Sequence, residues 1–164
     1  MINSNNKMRR TDREVKDINK IIALIGESKI MHIAIHDSIY PYIVTMHYGY
    51  EYIDGKLVFY LHSALEGKKI DLIKQNDKIC FTIVGSKFEL IKGDTPCKYG
   101  STFSSVVGMG NIDFITDIDE KIKGLNLLMK NQTDKTFEFT SEMVEKVAVL
   151  RINVLKFSCK ERKM

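Results

Sequence analysis

Residues 42–63 read YIVTMHYGYEYIDGKLVFYLHS, and this stretch decides the class of fold. Over residues 42–52 the side chains alternate with the two-residue period of a β-strand. Asp54-Gly55 is a strong signal for a two-residue hairpin turn, and residues 56–61 supply an apolar returning strand. The stretch therefore predicts two antiparallel strands joined by a tight turn.

The rest of the chain adds strands and helices around this hairpin. Capping patterns predict helices that begin near Thr11 and near Asp117, and Gly26 is expected to end the first helix. Regular alternation of strands and helices is missing, which argues against a doubly wound sheet. We predict an α+β fold built on a curled antiparallel sheet or small barrel of about six strands. Four further segments have strand character: residues 31–35, 78–84, 102–115 and 147–157.

Length and composition are those of a globular protein. The chain has 164 residues, of which 44% are hydrophobic and 28% are charged. We predict a flexible segment over residues 1–10 and a single domain over residues 11–164. The N-terminus lacks the apolar core of a signal peptide, and no window holds the roughly 20 apolar residues of a membrane span.

Cysteine usage and charge limit the classes of function. Cys80, Cys97 and Cys159 form no CxxC pair, so neither a disulfide framework nor a zinc site is indicated, and a cytoplasmic location fits best. The net charge of +4 is modest and no long basic stripe accompanies it. Nucleic-acid binding is therefore not expected.

Residues 57–76, LVFYLHSALEGKKIDLIKQN, combine a buried strand with a cluster of polar residues. If a helix begins near Ala64, its unpaired amides and the two lysines after it would attract an anion. The alternative is structural, because the pattern from Ser63 to Glu66 is also a capping box and helix lysines are usually solvated. The polar residues at this junction are His62, Ser63, Lys68 and Lys69.

Other polar and aromatic residues leave alternatives open. A histidine at a strand end, such as His62, is more often structural than catalytic. His32 and His36 lie about 13 Å apart along a strand, too far to share a metal, and His47 suits either a pocket or an interface. Four tyrosines suit a core, a dimer interface or the wall of a flat cofactor: Tyr42, Tyr48, Tyr50 and Tyr52.

Together these segments resemble the nitroimidazole-resistance proteins of the pyridoxamine 5'-phosphate oxidase-like, FMN-binding split-barrel superfamily. The most specific segment is H-S-A-x-E-G-K-K at residues 62–69, and S-V-V-G-M-G at residues 105–110 is the second. The similarity runs from about Met8 to Lys160. It implies a six-stranded antiparallel split barrel that forms a homodimer, with FMN at the subunit interface.

The resemblance also implies roles for individual residues. His62 and Ser63 match positions that approach the FMN phosphate, and His62 also matches a histidine discussed as the active-site residue. Lys68 matches a basic phosphate contact, with Lys69 beside it. Six more residues match the strands that run along or near the flavin ring: Val44, Thr45, Met46, His47, Ser104 and Ser105.

The sequence also departs from the oxidases of the superfamily. The second strand has no arginine, Gly67-Lys68 replaces an Arg-Lys pair, and the C-terminal substrate-binding arginine and histidine have no clear match. Pyridoxamine-phosphate oxidation is therefore not expected. We predict an FMN-dependent oxidoreductase that passes electrons to a small planar acceptor, with nitroimidazole-type compounds as the candidate class. The alternative is a dimeric protein that binds FMN or haem without turnover, with His36, His47 or His62 as an axial ligand.

Overall fold

The structure, a computed structural model, describes residues 8–164, so that residues 1–7 of the predicted flexible segment lie outside the described residues. The helices are α1 (Ile18–Glu27), α2 (Lys68–Gln75), α3 (Ile118–Thr133) and α4 (Ser141–Glu145), and short 3-10 turns occur at Thr11–Arg13 and Pro96–Lys98. The strands are β1 (Glu14–Val15), β2 (Ile30–Ile35), β3 (Tyr42–His47), β4 (Gly49–Ile53), β5 (Lys56–Ser63), β6 (Lys78–Val84), β7 (Leu90–Ile91), β8 (Gly100–Ser101), β9 (Phe103–Phe114) and β10 (Ala148–Arg162).

The main sheet closes into a barrel. Its strand order is β3-β2-β6-β9-β10-β5-β4, with β1 paired to β10, and every pairing is antiparallel. β3 and β4 stand at opposite ends of this order, yet only Tyr48 separates them along the chain. The two ends of the sheet therefore meet, as closure of a barrel requires. When β3 and β4 are counted as one bent strand, the predicted six-stranded antiparallel split barrel is confirmed.

The main core fills the barrel, and a second core lies outside it. Inside, the ring of Phe59 packs edge-on against Tyr48 and Phe81, with centroids 5.4 and 5.2 Å apart. The other tyrosines of the predicted stripe are partly buried against this core. On the outer side of β5, Tyr60 is buried with Leu125 of α3. β5 is thus covered on both faces, which explains its nearly continuous apolar sequence.

Local turn chemistry was predicted well at two places. Asp54 and Gly55 have φ values of 51° and 76°, the left-handed conformations that a tight hairpin needs, so the predicted turn between β4 and β5 is confirmed. Asp117 accepts a hydrogen bond from the Glu120 amide at 2.8 Å and begins α3 as predicted. None of the helices within residues 8–164 has both the length and the hydropathy of a membrane span.

The predicted bounds of the first helix were wrong. α1 begins at Ile18, where the Asp17 carboxylate accepts from the Asn19 amide, rather than at Thr11. Glu14 and the residue after it pair with the end of β10 instead, a long-range contact that the local capping pattern does not reveal. Gly26 lies within α1, which continues to Glu27.

Candidate functional site

The junction between β5 and α2 differs from its predicted form. β5 ends at Ser63, and α2 begins at Lys68 rather than near Ala64. Gly67 precedes the helix with a φ of 119°, a conformation that suits glycine, and no side chain of residues 8–164 caps the first turn. The Ser63–Glu66 capping box is therefore not formed. The first amides of α2 remain available as donors.

The split of the barrel opens where β3 and β5 diverge at Tyr48. On one side of this residue, Gly49 of β4 pairs with Tyr60 of β5. On the other side, β3 turns away and pairs with β2, as His47 does with Ile30. The edges of β3 and β5 consequently separate at the end of β5 that leads into α2.

Five of the ten predicted site residues gather around this split. If the pairing of β4 with β5 were continued past Tyr48, His47 would face His62 and Met46 would face Ser63. The Lys69 ammonium lies 3.2 Å from the Met46 sulfur, which places the start of α2 over the same gap. The residues around the split are Met46, His47, His62, Ser63 and Lys69.

The two neighbouring lysines have different surroundings. Lys68 is exposed and forms an ion pair with Asp37 at 2.7 Å, and this hydrogen-bonded partner raises its pKa. Its ammonium also lies 5.0 Å from the centre of the Tyr42 ring. Lys69 is partly buried, has no carboxylate within ion-pair distance among residues 8–164, and has a pKa lowered by burial. Lys69 is thus the lysine whose charge a bound anion would balance.

The two histidines at the split present different ring nitrogens. Burial lowers the pKa of His62 below its ordinary value of 6.5, and electrostatic interactions with Lys69 and His47 lower it further, which favours the neutral form of the His62 ring at pH 7. His62 makes no hydrogen bond to any described residue. The Nδ1 atom of His47 lies 3.1 Å from the Lys29 carbonyl oxygen. Because a carbonyl only accepts, Nδ1 carries a proton and Nε2 remains open.

Four of the other predicted residues lie farther along β3 or in β9. Val44 packs against the barrel core and Thr45 is exposed on the outer face of β3. Ser104 and Ser105 are the second and third residues of β9, and β2 and β6 separate that strand from β3. Ser104 lines another cavity of about 330 Å³ beside α1, in which Lys20 is paired with Glu161. A single chain does not bring the two serines to the split.

The outer face of the barrel sheet around β3 is apolar and exposed. Ile43 is 61% exposed and Val107 is 51% exposed. Sequence reasoning missed this surface, although β-branched residues on both faces of β3 were a signal for it. The surface surrounds a cavity of about 420 Å³ lined by His32, Ile33, Ala34, Ile43, Cys80, Phe81, Thr82 and Val107.

A second apolar cavity lies beside His62. It has a volume of about 220 Å³, and α3 and α4 cover it. Sequence reasoning missed it because it exists only where α4 packs beside α3. Across residues 8–164, no group of three or more metal-ligating side chains is placed to hold a metal ion.

A family comparison covers most of the chain. The profile described as Pyridoxamine 5'-phosphate oxidase matches residues 17–161. No protein with a curated description matches the chain.

Solved structures of the same fold include proteins from several bacteria. A proposed 5-nitroimidazole antibiotic resistance protein from Bacteroides thetaiotaomicron is 29% identical, with a TM-score of 0.77 over 90% of this chain and 86% of that chain. A flavocytochrome from Azotobacter vinelandii is 17% identical, with a TM-score of 0.77 over 96% of this chain and 73% of that one. An FAD-binding protein from Mesorhizobium loti is 18% identical, with a TM-score of 0.61 over 92% and 98% of the two chains. The last two comparisons support the fold alone.

Proposed function

The chain belongs to the pyridoxamine 5'-phosphate oxidase family, and from that premise we propose that it binds FMN at the barrel split and passes electron pairs from the reduced flavin to a small planar acceptor. Similarity to the Bacteroides protein favours a nitroimidazole-type compound as the acceptor. The departures from the oxidase pattern at Gly67-Lys68 and at the C-terminus argue against pyridoxamine phosphate as the substrate.

The observation that carries this proposal is the unbalanced charge of Lys69 beside the start of α2. A phosphate needs positive charge and several donors, and helix amides without a side-chain cap provide the donors. Lys69 is partly buried and has no carboxylate partner among the described residues. The Ser63 hydroxyl ends the neighbouring strand. These groups fit a phosphate, and Lys68, held by Asp37, would add weaker attraction from the rim.

The rest of the split suits a flat ring. The exposed apolar face that includes Ile43 would cover one side of the ring, and the backbone of Val44, Thr45 and Met46 would lie along its edge. His47 would offer its open Nε2 there. When bound and reduced, the flavin would supply an electron pair as hydride. His62, neutral and without a hydrogen bond to the described residues, would orient the acceptor.

We also propose that two copies of the chain form a homodimer through the outer face of β3, β2, β6 and β9. Large exposed apolar side chains on a sheet face mark an interaction surface, and Ile43 and Val107 are such side chains. The partner subunit would then bring its own β9, with Ser104 and Ser105, towards the flavin. Val107→Asp should give a monomer by light scattering and should lower FMN affinity. A variant that stays dimeric, or a wild-type monomer that binds FMN fully, would contradict this arrangement.

The visible spectrum of the purified protein tests the central proposal. We expect a flavin spectrum, release of FMN on heat denaturation, and reoxidation of the dithionite-reduced protein by a nitroimidazole. A colourless protein that takes up no FMN would refute the proposal. A Soret band on haem titration without retained flavin would instead support the binding protein with His36, His47 or His62 as the ligand.

A further inference from the structure

We propose that the cavity between β5, α3 and α4 binds a small, uncharged aromatic ring whose polar substituent hydrogen-bonds to His62. This deepens the proposed function by giving the acceptor its own site, and only the identification of the ring as an electron acceptor rests on that function.

The size of the cavity sets the size of the ligand. Its volume is about 220 Å³, whereas a cavity of about 150 Å³ in another protein holds benzene. One five- or six-membered ring with one or two small substituents would fill it, and a fused three-ring system would not. The lining residues are His62, Leu125, Leu128, Met129, Phe139, Met143 and Val147.

The chemistry of the lining sets the charge of the ligand. The lining holds no lysine, arginine, aspartate or glutamate, so a charged ligand would lose water without gaining a partner. Phe139 offers an aromatic edge or face. Met129 and Met143 offer polarizable sulfur atoms that make favourable contacts with aromatic rings and adapt to their shape. The lining therefore favours a neutral aromatic compound.

His62 is the single polar side chain in the lining that forms hydrogen bonds readily. It makes none to any described residue, and burial lowers its pKa, which favours the neutral ring. A neutral imidazole offers one donor and one acceptor, which suits one nitro, carbonyl or hydroxyl group on the ligand. His62 stands at the split as well as in this cavity, so the ring would lie next to the proposed flavin site.

The route into the cavity lies beside α4. Met143 lines the cavity and is 56% exposed, so a larger side chain there would block access without disturbing the core. Ile53, 57% exposed at the hairpin turn, gives a matched position remote from the cavity lining.

Nitrobenzene and benzoate provide a matched pair of probes, since they share size and shape and differ in charge. We expect nitrobenzene, added to the flavin-free protein at pH 8, to shift the methyl NMR signals of Met129 and Met143. Benzoate should bind at least tenfold more weakly. Met143→Trp should weaken nitrobenzene binding at least tenfold, whereas Ile53→Trp should not change it. Equal binding of benzoate, or unchanged binding by Met143→Trp, would overturn the proposal.

Two further measurements fix the role of His62 and separate this site from the flavin. His62→Leu should weaken nitrobenzene binding several-fold and leave benzene binding unchanged. If the variant lost affinity for both compounds equally, His62 would not hydrogen-bond to the nitro group. FMN affinity should be unchanged in Met143→Trp. Nitrobenzene binding without FMN uptake would refute the proposed function and keep this cavity site. FMN uptake without nitrobenzene binding would refute this cavity site and leave the proposed FMN binding standing.

Discussion

The polar groups on the two sides of Tyr48, where β3 becomes β4, differ in whether they have hydrogen-bond or ion-pair partners. On the side of α1 and α3, the Tyr48 hydroxyl lies 2.7 Å from the Ile25 carbonyl oxygen and 3.1 Å from that of Ser28. The amide of the buried Asn131 donates to the Tyr48 carbonyl at 2.9 Å. On the side of the split, Lys69 has no carboxylate and His62 has no hydrogen bond within the described chain.

This difference separates groups that maintain the fold from groups that suit a ligand. Buried polar groups are normally paired, because an unpaired one costs about 1–3 kcal/mol. The paired side of Tyr48 fixes the point at which the sheet changes partners. The unpaired side is only partly buried, so water satisfies it until a ligand binds. Changes on the first side should alter stability, and changes on the second should alter ligand binding.

The largest effect on stability is expected at Gly49, on the paired side. A Cβ atom there would overlap the backbone of Leu127 and Leu128 in α3, and backbone atoms cannot move aside cheaply. Gly49→Ala should therefore lower the free energy of unfolding by more than about 3 kcal/mol or prevent folding. Gly55→Ala is the control, because a Cβ there contacts nothing and only the positive φ costs about 1 kcal/mol. If urea unfolding showed the same loss of unfolding free energy for Gly49→Ala and Gly55→Ala, a tight contact at Gly49 would be contradicted.

The largest effect on ligand binding is expected at Lys69, on the unpaired side. Lys69→Ala should weaken FMN binding by about tenfold or more, since a charge-assisted hydrogen bond contributes about 1.5–3 kcal/mol. Stability should not fall, because the substitution removes a partly buried charge that has no carboxylate partner in the described chain. Lys68→Ala is the matched control and should weaken FMN binding less, since Asp37 already balances that charge. Fluorescence titration with FMN measures the affinity of both variants. A larger loss of FMN affinity in Lys68→Ala than in Lys69→Ala would reverse the roles of the two lysines.

A smaller effect is expected from removing one hydroxyl on the paired side. Tyr48→Phe keeps the buried ring and leaves two carbonyl groups without this donor, which should cost about 1–2 kcal/mol of unfolding free energy. Tyr50→Phe should be nearly neutral, because the Tyr50 hydroxyl makes no hydrogen bond to a described residue. FMN affinity should be unchanged in both variants. If Tyr48→Phe weakened FMN binding as much as Lys69→Ala, the separation of the two sides would not hold.

Sequence reasoning succeeded where local groups decide the structure. The Asp54-Gly55 turn and the Asp117 cap depend on residues within three positions, and both formed as predicted. The starts of α1 and α2 were wrong for different physical reasons. Near Thr11, pairing with the distant β10 overrode a good capping pattern. Before α2, the conformation of Gly67 determined the start rather than a side-chain cap.

The candidate site shows a similar limit. The resemblance identified the junction around His62 and matched Lys68 to the phosphate contact, with Lys69 beside it, but sequence reasoning could not show which of the two lysines a carboxylate already balances. The choice depends on Asp37, more than thirty positions away in the chain, which lies next to one lysine only in the folded barrel. The cavity beside His62 depends likewise on α4 packing near β5.

The smallest effect concerns the titration of His62 and shows whether the unpaired groups act on each other. Burial is the main cause of its lowered pKa, and the charge of Lys69 is the next. Lys69→Ala should therefore raise the His62 pKa only part of the way towards 6.5, as an NMR titration of the ring would show. Lys68→Ala should raise it less, because its charge is paired with Asp37.

The same lowered pKa has a defined consequence for stability. The unfolded chain takes up a proton at this position near pH 6.5, whereas the folded chain takes it up only at lower pH. The folded state thus loses stability relative to the unfolded state as the pH falls from about 6.5 towards the folded-state pKa, and it loses none above that window. His62→Gln should remove this part of the acid dependence in urea unfolding between pH 7 and 5, and His36→Gln, one residue past the end of β2 and outside the split, is the matched control. An acid dependence unchanged in His62→Gln would mean that water and the rest of the split solvate the His62 imidazolium as well as bulk solvent does.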